Sequence, residues 1–152
     1  MIAIASDHVG FALKKEIMAY LSEQGIAYKD FGTFDEQRCH YPEYVLKAAI
    51  VVKNKECERG ILFCGTGIGV SIAANKMRGI RCVVCSEPYS ALLSRQHNDT
   101  NMLAIGSRVV GADLARMFVE NWLCGIYEGG RHATRVKQIA QLEETQSIIS
   151  CE

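Results

Sequence analysis

Gly60-Ile61-Leu62-Phe63-Cys64-Gly65-Thr66-Gly67-Ile68-Gly69-Val70-Ser71-Ile72-Ala73-Ala74 runs from a short apolar stretch through a glycine-rich turn into small apolar residues. Consecutive apolar positions of this length suit a strand buried on both faces of a parallel sheet. The glycines at alternate positions then allow a tight turn into a helix. Strand, turn and helix in this order form one unit of an α/β fold, and the rest of the chain repeats it.

Apolar runs recur at 2–6, 27–31, 60–64, 80–85 and 102–106. Between them lie stretches with helical spacing. Leu13, Ile17, Tyr20 and Leu21 fall on one helical face, and Gly25 follows as a stop signal. Further helices are predicted near 42–56, 68–77, 89–97, 112–125 and 132–145, with Pro42 and Asp113 as ordinary N-terminal signals. The pattern predicts a single Rossmann-like, doubly wound α/β domain: a five-stranded parallel sheet flanked by helices. The helix after 132 has no strand behind it, so it packs on its own domain or reaches a partner.

Composition excludes several function classes. The 152 residues carry 17 basic and 17 acidic side chains, which leaves no electrostatic footprint for nucleic acid or an anionic membrane. The N-terminal stretch reads as a first strand rather than a secretory leader, and no apolar run reaches membrane-spanning length. Its seven cysteines, an odd number, read as reduced thiols of a cytoplasmic protein. None of the cysteines and four histidines has zinc-finger, ribbon or H-E-x-x-H spacing, so no metal is expected.

Open α/β sheets bind ligands beyond the carboxyl ends of their strands. Asp7 and His8, the stretch from Cys64 to Gly69, Glu87, and Gly106 to Arg108 are all expected there. The G-x-G-x-G spacing after the third strand fits neither a dinucleotide fingerprint nor a P-loop. It is an anion-binding or oxyanion-stabilising loop, or a plain tight turn. Cys64 before it is a usable base if its thiolate is stabilised, or else a buried inert thiol, as Cys57, Cys82, Cys124 and Cys151 are expected to be. Cys82 and Cys85 have C-x-x-C spacing but lie in a strand, where they face opposite ways. His97 ends the fourth helix and is expected near the same rim as Cys64, as an acid/base or as a simple helix-end cation. Arg131 and Arg135 share a face at the start of the last helix, where cations are unfavourable unless an anion binds there. The other reading is a solvated basic face.

The chain resembles the ribose-5-phosphate isomerase B family, which also holds galactose-6-phosphate isomerase subunits and allose-6-phosphate isomerase. The resemblance runs from Ile2 to about Leu142. It rests on Asp7-His8-Val9-Gly10, Tyr41-Pro42, the stretch from Cys64 to Asn75, and Cys85-Ser-Glu-Pro-Tyr-Ser90. Ser94-Arg-Gln-His-Asn-Asp-Thr-Asn101, Gly106-Ser-Arg108 and Gly129-Gly-Arg-His132 complete it.

The resemblance implies cofactor-free interconversion of ribose 5-phosphate and ribulose 5-phosphate through an enediolate. A hexose 6-phosphate isomerase and a phosphate-binding module without chemistry are the alternatives. Cys64 would be the base and Gly65, Thr66, Gly67, Ile68 and Gly69 the anion hole, with Thr66 aiding the hydroxyl proton. His97 would open the furanose ring with Asp7 nearby. Asn98 would bind sugar oxygens, and His8, Arg108, Arg131 and Arg135 the phosphate end, with Tyr41 and His132 also against the substrate. Relatives are dimers, sometimes paired into tetramers, with sites shared between subunits. Some relatives use a carboxylate where Val70 stands, so this chain is of the cysteine type. His40 departs from the aspartate expected before Tyr41-Pro42. The isomerase domain is expected to cover 1–146, with 147–152 a disordered tail.

Overall fold

The computed structural model describes the backbone of residues 1–149 and the side chains of 1–145. Five strands form one parallel sheet: β1 (Ile2–Ser6), β2 (Tyr28–Asp30), β3 (Arg59–Cys64), β4 (Cys82–Val84) and β5 (Met102–Gly106). They lie in the order β2-β1-β3-β5-β4. The helices are α1 (Phe11–Glu23), α2 (Tyr41–Lys53), α3 (Ile68–Ala74), α4 (Pro88–Asn98), α5 (Ala112–Cys124) and α6 (Arg131–Ile149). The doubly wound α/β domain expected from the sequence is the fold observed. The edge strands β2 and β4 are shorter than their apolar runs, because each has a ladder partner on one side only. α6 extends to Ile149, and the rest of the expected tail lies outside the described residues.

The period-2 alternation of the central strands divides the core. Ile2, Ile4, Ile61, Phe63, Leu103 and Ile105 pack against Leu13, Ile17 and Leu21 of α1 and Ala115, Phe118 and Trp122 of α5. Ala3, Ala5, Leu62, Cys64, Met102 and Ala104 face Val45, Ala48 and Val52 of α2 and Val70 and Ala74 of α3. Small strand residues on this second face bring α2 and α3 close to the sheet. Cys82 joins this second cluster and Cys85 the first, so the C-x-x-C pair straddles the sheet.

Of the charged side chains buried among the described residues, Asp7, Lys14 and Arg95, Lys14 lies deepest. Lys14 is fully buried, and its Nζ donates to both Asp30 carboxylate oxygens at 2.8 Å and to the Thr33 carbonyl. Burial holds the ammonium below its ordinary value, against the pull of Asp30. The pair fixes the chain after β2, which then crosses the carboxyl rim through Thr33, whose N–H donates to Ser6 O.

Candidate active site in two clusters

β1, β3 and β5 are neighbours, so the three loops at their carboxyl ends stand side by side, about 10 Å from first to last at the usual strand spacing. They carry Asp7 and His8, the loop from Cys64 to Gly69, and Gly106 to Arg108. The site lies at the crevice beside β1 and β3, where an open sheet leaves room for a ligand.

The loop is built around the Cys64 sulfur. Cys64 ends β3, is 5% exposed, and its Sγ accepts the Gly67 N–H at 3.1 Å. Gly67 has φ 79°, a left-handed conformation that a side chain rarely adopts, and a Cβ there would stand 3.1 Å from Val84. Gly106 lets β5 pass under the loop, since its Cβ would lie 2.7 Å from the Thr66 carbonyl carbon. Ser107 Oγ donates to Val9 O and to Cys64 O, tying the three loops together. Ser107 escaped the sequence reading because its role is structural support within a motif noted for Arg108. The loop therefore sets one backbone N–H, that of Gly67, against the thiol, and α3, only seven residues long, adds a small dipole.

The side chains around it are held by specific contacts. Tyr41 opens α2 and lies over Gly69, 2.8 Å from where a Cβ would stand. Arg108 N donates to Gly65 O, and its side chain runs beside Gly65. Asp7 is buried and its Oδ1 accepts the Gly10 N–H at 2.8 Å. His8 Nδ1 accepts the Cys39 N–H at 3.4 Å, with the Cys39 thiol 3.9 Å away. Cys39 was not singled out from sequence, because 31 residues separate it from His8. Glu87 also lies at this rim, but it serves as the N-cap of α4, accepting from Tyr89 and Ser90 N–H groups. Those bonds hold its carboxyl below the usual range. Val70 is fully buried against the sheet and carries no group that could act as a base.

His97 corrects an expectation. It does not lie near the Cys64 rim of its own chain. α4 starts at that rim and runs back antiparallel to β4, about 16 Å over its 11 residues, so its last turn reaches the opposite edge of the sheet. There the Asn98 carbonyl accepts from Arg81, just before β4. His97 stacks on His132 of α6 with ring centroids 4.2 Å apart and planes 2° from parallel. Glu128 Oε2 lies 3.8 Å from the Nε2 of each ring. Burial first, then the nearby charges of His97 and Arg131, holds His132 below the usual histidine value.

Glu128 was also missed, although its i, i+4 spacing from His132 was a usable signal. Arg131 and Arg135 project exposed from the first turns of α6, and among the described residues neither is paired with a carboxylate. Asn98 also borders a cavity of about 720 Å³ between α3, α4 and α6 that reaches none of the Cys64 loop.

The structure thus gathers the expected residues into two clusters. Asp7, His8, Tyr41, Cys64 to Gly69 and Arg108 stand at the carboxyl rim, while His97, Asn98, Arg131, His132 and Arg135 stand at the far end of α4. The remaining thiols belong to neither: burial pushes Cys57 and Cys82 up and Cys85 to about 11, whereas Cys124, against expectation, is not buried but exposed at the end of α5. Cys151 lies outside the described residues.

Comparison with known proteins identifies the family. The pattern of the Ribose/Galactose Isomerase family matches residues 2–139, and the chain belongs to that family. It is 58% identical over 146 residues to ribose-5-phosphate isomerase B of Escherichia coli, covering 96% of this chain and 98% of that one. The structure of Clostridium thermocellum ribose-5-phosphate isomerase B superposes with a TM-score of 0.94 at 52% identity, covering 95% and 98% of the two chains. The Mycoplasma genitalium enzyme, solved with bound ribulose-5-phosphate, superposes with a TM-score of 0.90 at 36% identity, covering 94% and 95%.

Proposed function

We propose that this chain is an aldose–ketose isomerase that interconverts ribose 5-phosphate and ribulose 5-phosphate, with Cys64 as the base. The observation that carries the reading is the Cys64 sulfur, which accepts the Gly67 N–H at the head of the glycine loop, in a chain 58% identical to a ribose-5-phosphate isomerase B.

The chemistry follows from the substrate. A proton on carbon beside a carbonyl is weakly acidic, so a base alone is too slow, and the enediolate charge must be stabilised where it forms. The Cys64 thiolate takes the proton from C2 of the opened aldose and returns it to C1. The loop N–H groups of Gly65 to Gly69 hold the oxyanion, while the Thr66 hydroxyl relays the proton between O2 and O1. Before that step His97 and Asp7 open the furanose ring, and Asn98 holds sugar hydroxyls. His8, Arg108, Arg131 and Arg135 grip the phosphate, with Tyr41 and His132 lining the sugar. Binding energy from the phosphate end orients the reacting carbons.

Proton transfer needs groups within about 3 Å of the reacting atoms, which one chain does not provide for both Cys64 and His97. The working site is therefore shared: the Cys64 cluster of one subunit meets the His97 cluster of another in a homodimer. Ile68, Ile72, Val84 and Tyr89 leave exposed apolar surface beside the Cys64 loop, and this supports the contact. No helix among the described residues is long and apolar enough to cross a membrane, and the site of action is taken to be the cytoplasm.

The test is a coupled assay of the purified protein with chelator, on ribose 5-phosphate beside allose 6-phosphate and galactose 6-phosphate. Preference for the pentose supports the reading. Preference for a hexose phosphate keeps the mechanism and changes the substrate, and no turnover on any of them leaves a phosphate-binding module.

A further inference from the structure

The His97 cluster has a donor set that sugar chemistry alone does not require. His97, Glu128 and His132 each offer one ligand atom, and the three atoms lie within 4.8 Å of one another. They come from the end of α4, the segment after α5 and the first turn of α6, so sequence spacing relates Glu128 to His132 but not either of them to His97. We propose that these three side chains form a binding site for a divalent transition-metal ion of the zinc class, and that the ion inhibits the enzyme.

Two imidazoles and one carboxylate are a donor set zinc accepts with a fourth position open, and they disfavour magnesium or calcium, which take oxygen ligands. The spacing is close to what the ion needs. Neighbouring donors of a tetrahedral zinc site stand about 3.4 Å apart, as the roughly 2.1 Å metal–ligand bonds dictate. Glu128 Oε2 already lies 3.8 Å from both Nε2 atoms. The rings stack 2° from parallel, so their in-plane lone pairs run side by side, and binding requires one imidazole to rotate about its side-chain torsions until both point at the ion.

The frame is firm. His132 is 7% exposed, and the Glu128 N–H donates to Gln96 O at 3.0 Å, fixing the connecting segment to α4. Glu128 itself is half exposed, so the ion enters from solvent. The inhibitory half of the proposal rests on the function proposed above. A metal on His97 Nε2 removes the lone pair that ring opening uses, without any covalent change.

Binding is measured apart from activity. Zn²⁺ is titrated against a chromophoric chelator, and Co²⁺ serves as an absorbing probe of the ligands. The expected result is an ion bound at each copy of the cluster, with tetrahedral cobalt bands and no sulfur-to-cobalt charge transfer. His132→Asn and Glu128→Gln should weaken Zn²⁺ roughly tenfold or more, since losing even an outer partner of a site costs that much. In the unaltered chain, Co²⁺ should broaden the imidazole NMR signals of His97 and His132 and spare those of His8 and His40, a readout that does not depend on variants folding. Sulfur charge transfer at the bound ion, affinity unchanged in both variants, or no binding at millimolar metal overturns the site. Zn²⁺ should raise the apparent KM for ribose 5-phosphate, with more metal needed in Glu128→Gln. Binding without inhibition overturns the inhibitory half and removes His97 from ring opening, while the absence of isomerase activity in metal-free protein would instead sink the proposed function.

Discussion

The separation of Cys64 from His97 has a quantitative consequence. About 16 Å of α4 separates the Cys64 rim from the far edge where His97 stands, and no rotamer change closes that gap. If each site takes Cys64 from one subunit and His97 from the other, two inactive variants can complement. Homodimers of Cys64→Ala lack the base at both sites, and homodimers of His97→Asn lack the ring-opening group at both. In a mixed dimer one site carries both changes and the other carries neither. Random pairing at equal amounts makes half of the dimers mixed, each with one intact site of its two, so activity returns to about a quarter of the wild-type value for the same total protein. The assay is turnover of ribose 5-phosphate after co-refolding or co-expression of the two variants, compared with each refolded alone. Sugar-phosphate binding by Cys64→Ala should survive while its turnover falls by orders of magnitude. No recovery in the mixture, with mixed dimers demonstrated by mass, would refute the shared site. Full turnover by Cys64→Ala alone would remove the thiol from the mechanism.

Arg135→Ala should raise the KM for ribose 5-phosphate about 10- to 100-fold, the loss of one charged hydrogen bond, and an equal loss for the unphosphorylated sugar would show that the guanidinium does not hold phosphate. Lys14→Met leaves Asp30 and the Thr33 carbonyl without their buried cation, and should cost about 3 kcal/mol, read as a fall in Tm of roughly 6–12 °C. An unchanged Tm would mean that water replaces the ammonium. Because burial holds Lys14 below its ordinary value of 10.5, the unfolded chain binds more protons in the window between the lowered value and 10.5. Stability from this group therefore climbs with pH across that window, and the climb should be missing in Lys14→Met, as alkaline unfolding curves would reveal. His40 is the N-cap of α2 but makes no side-chain capping bond, and Glu43 sits three residues on. His40→Asp should therefore add about 1 kcal/mol by completing a capping box, a rise in Tm of roughly 2–4 °C, and a fall would mean that His40 has a partner of its own.

The parts of this molecule that could be read from sequence are those where one strand end carries its own chemistry. Cys64 to Gly69, Asp7-His8 and Arg108 each follow a buried strand directly, so the rule for open α/β sheets puts them on one rim without knowledge of strand order. The order β2-β1-β3-β5-β4 could not be read, because neighbouring strands are chosen by core packing, such as Ala3, Ala5 and Ala104 admitting α2 and α3. Cys39 was invisible for a related reason: the fold, not spacing, brings His8 to it, just as it brings His97 to Glu128, whose i, i+4 relation to His132 alone could be read.

His97 failed differently, and the failure carries the mechanism. In a parallel α/β domain a helix starts at the rim where its strand ends and returns antiparallel, so its first turn faces the site and its last turn faces away. Glu87 and His97 open and close the same helix, and they stand at opposite edges. The neighbouring polar residues Gln96-His97-Asn98 look like part of a site in sequence, yet they cannot belong to the one made by the strand ends of their own chain. In the proposed shared site, the motif at this helix carboxyl terminus serves the strand ends of a second subunit. The exposed arginines at the start of α6, paired with no carboxylate among the described residues, fit the proposed dimer, since cations on the positive end of a helix are unfavourable until an anion binds there.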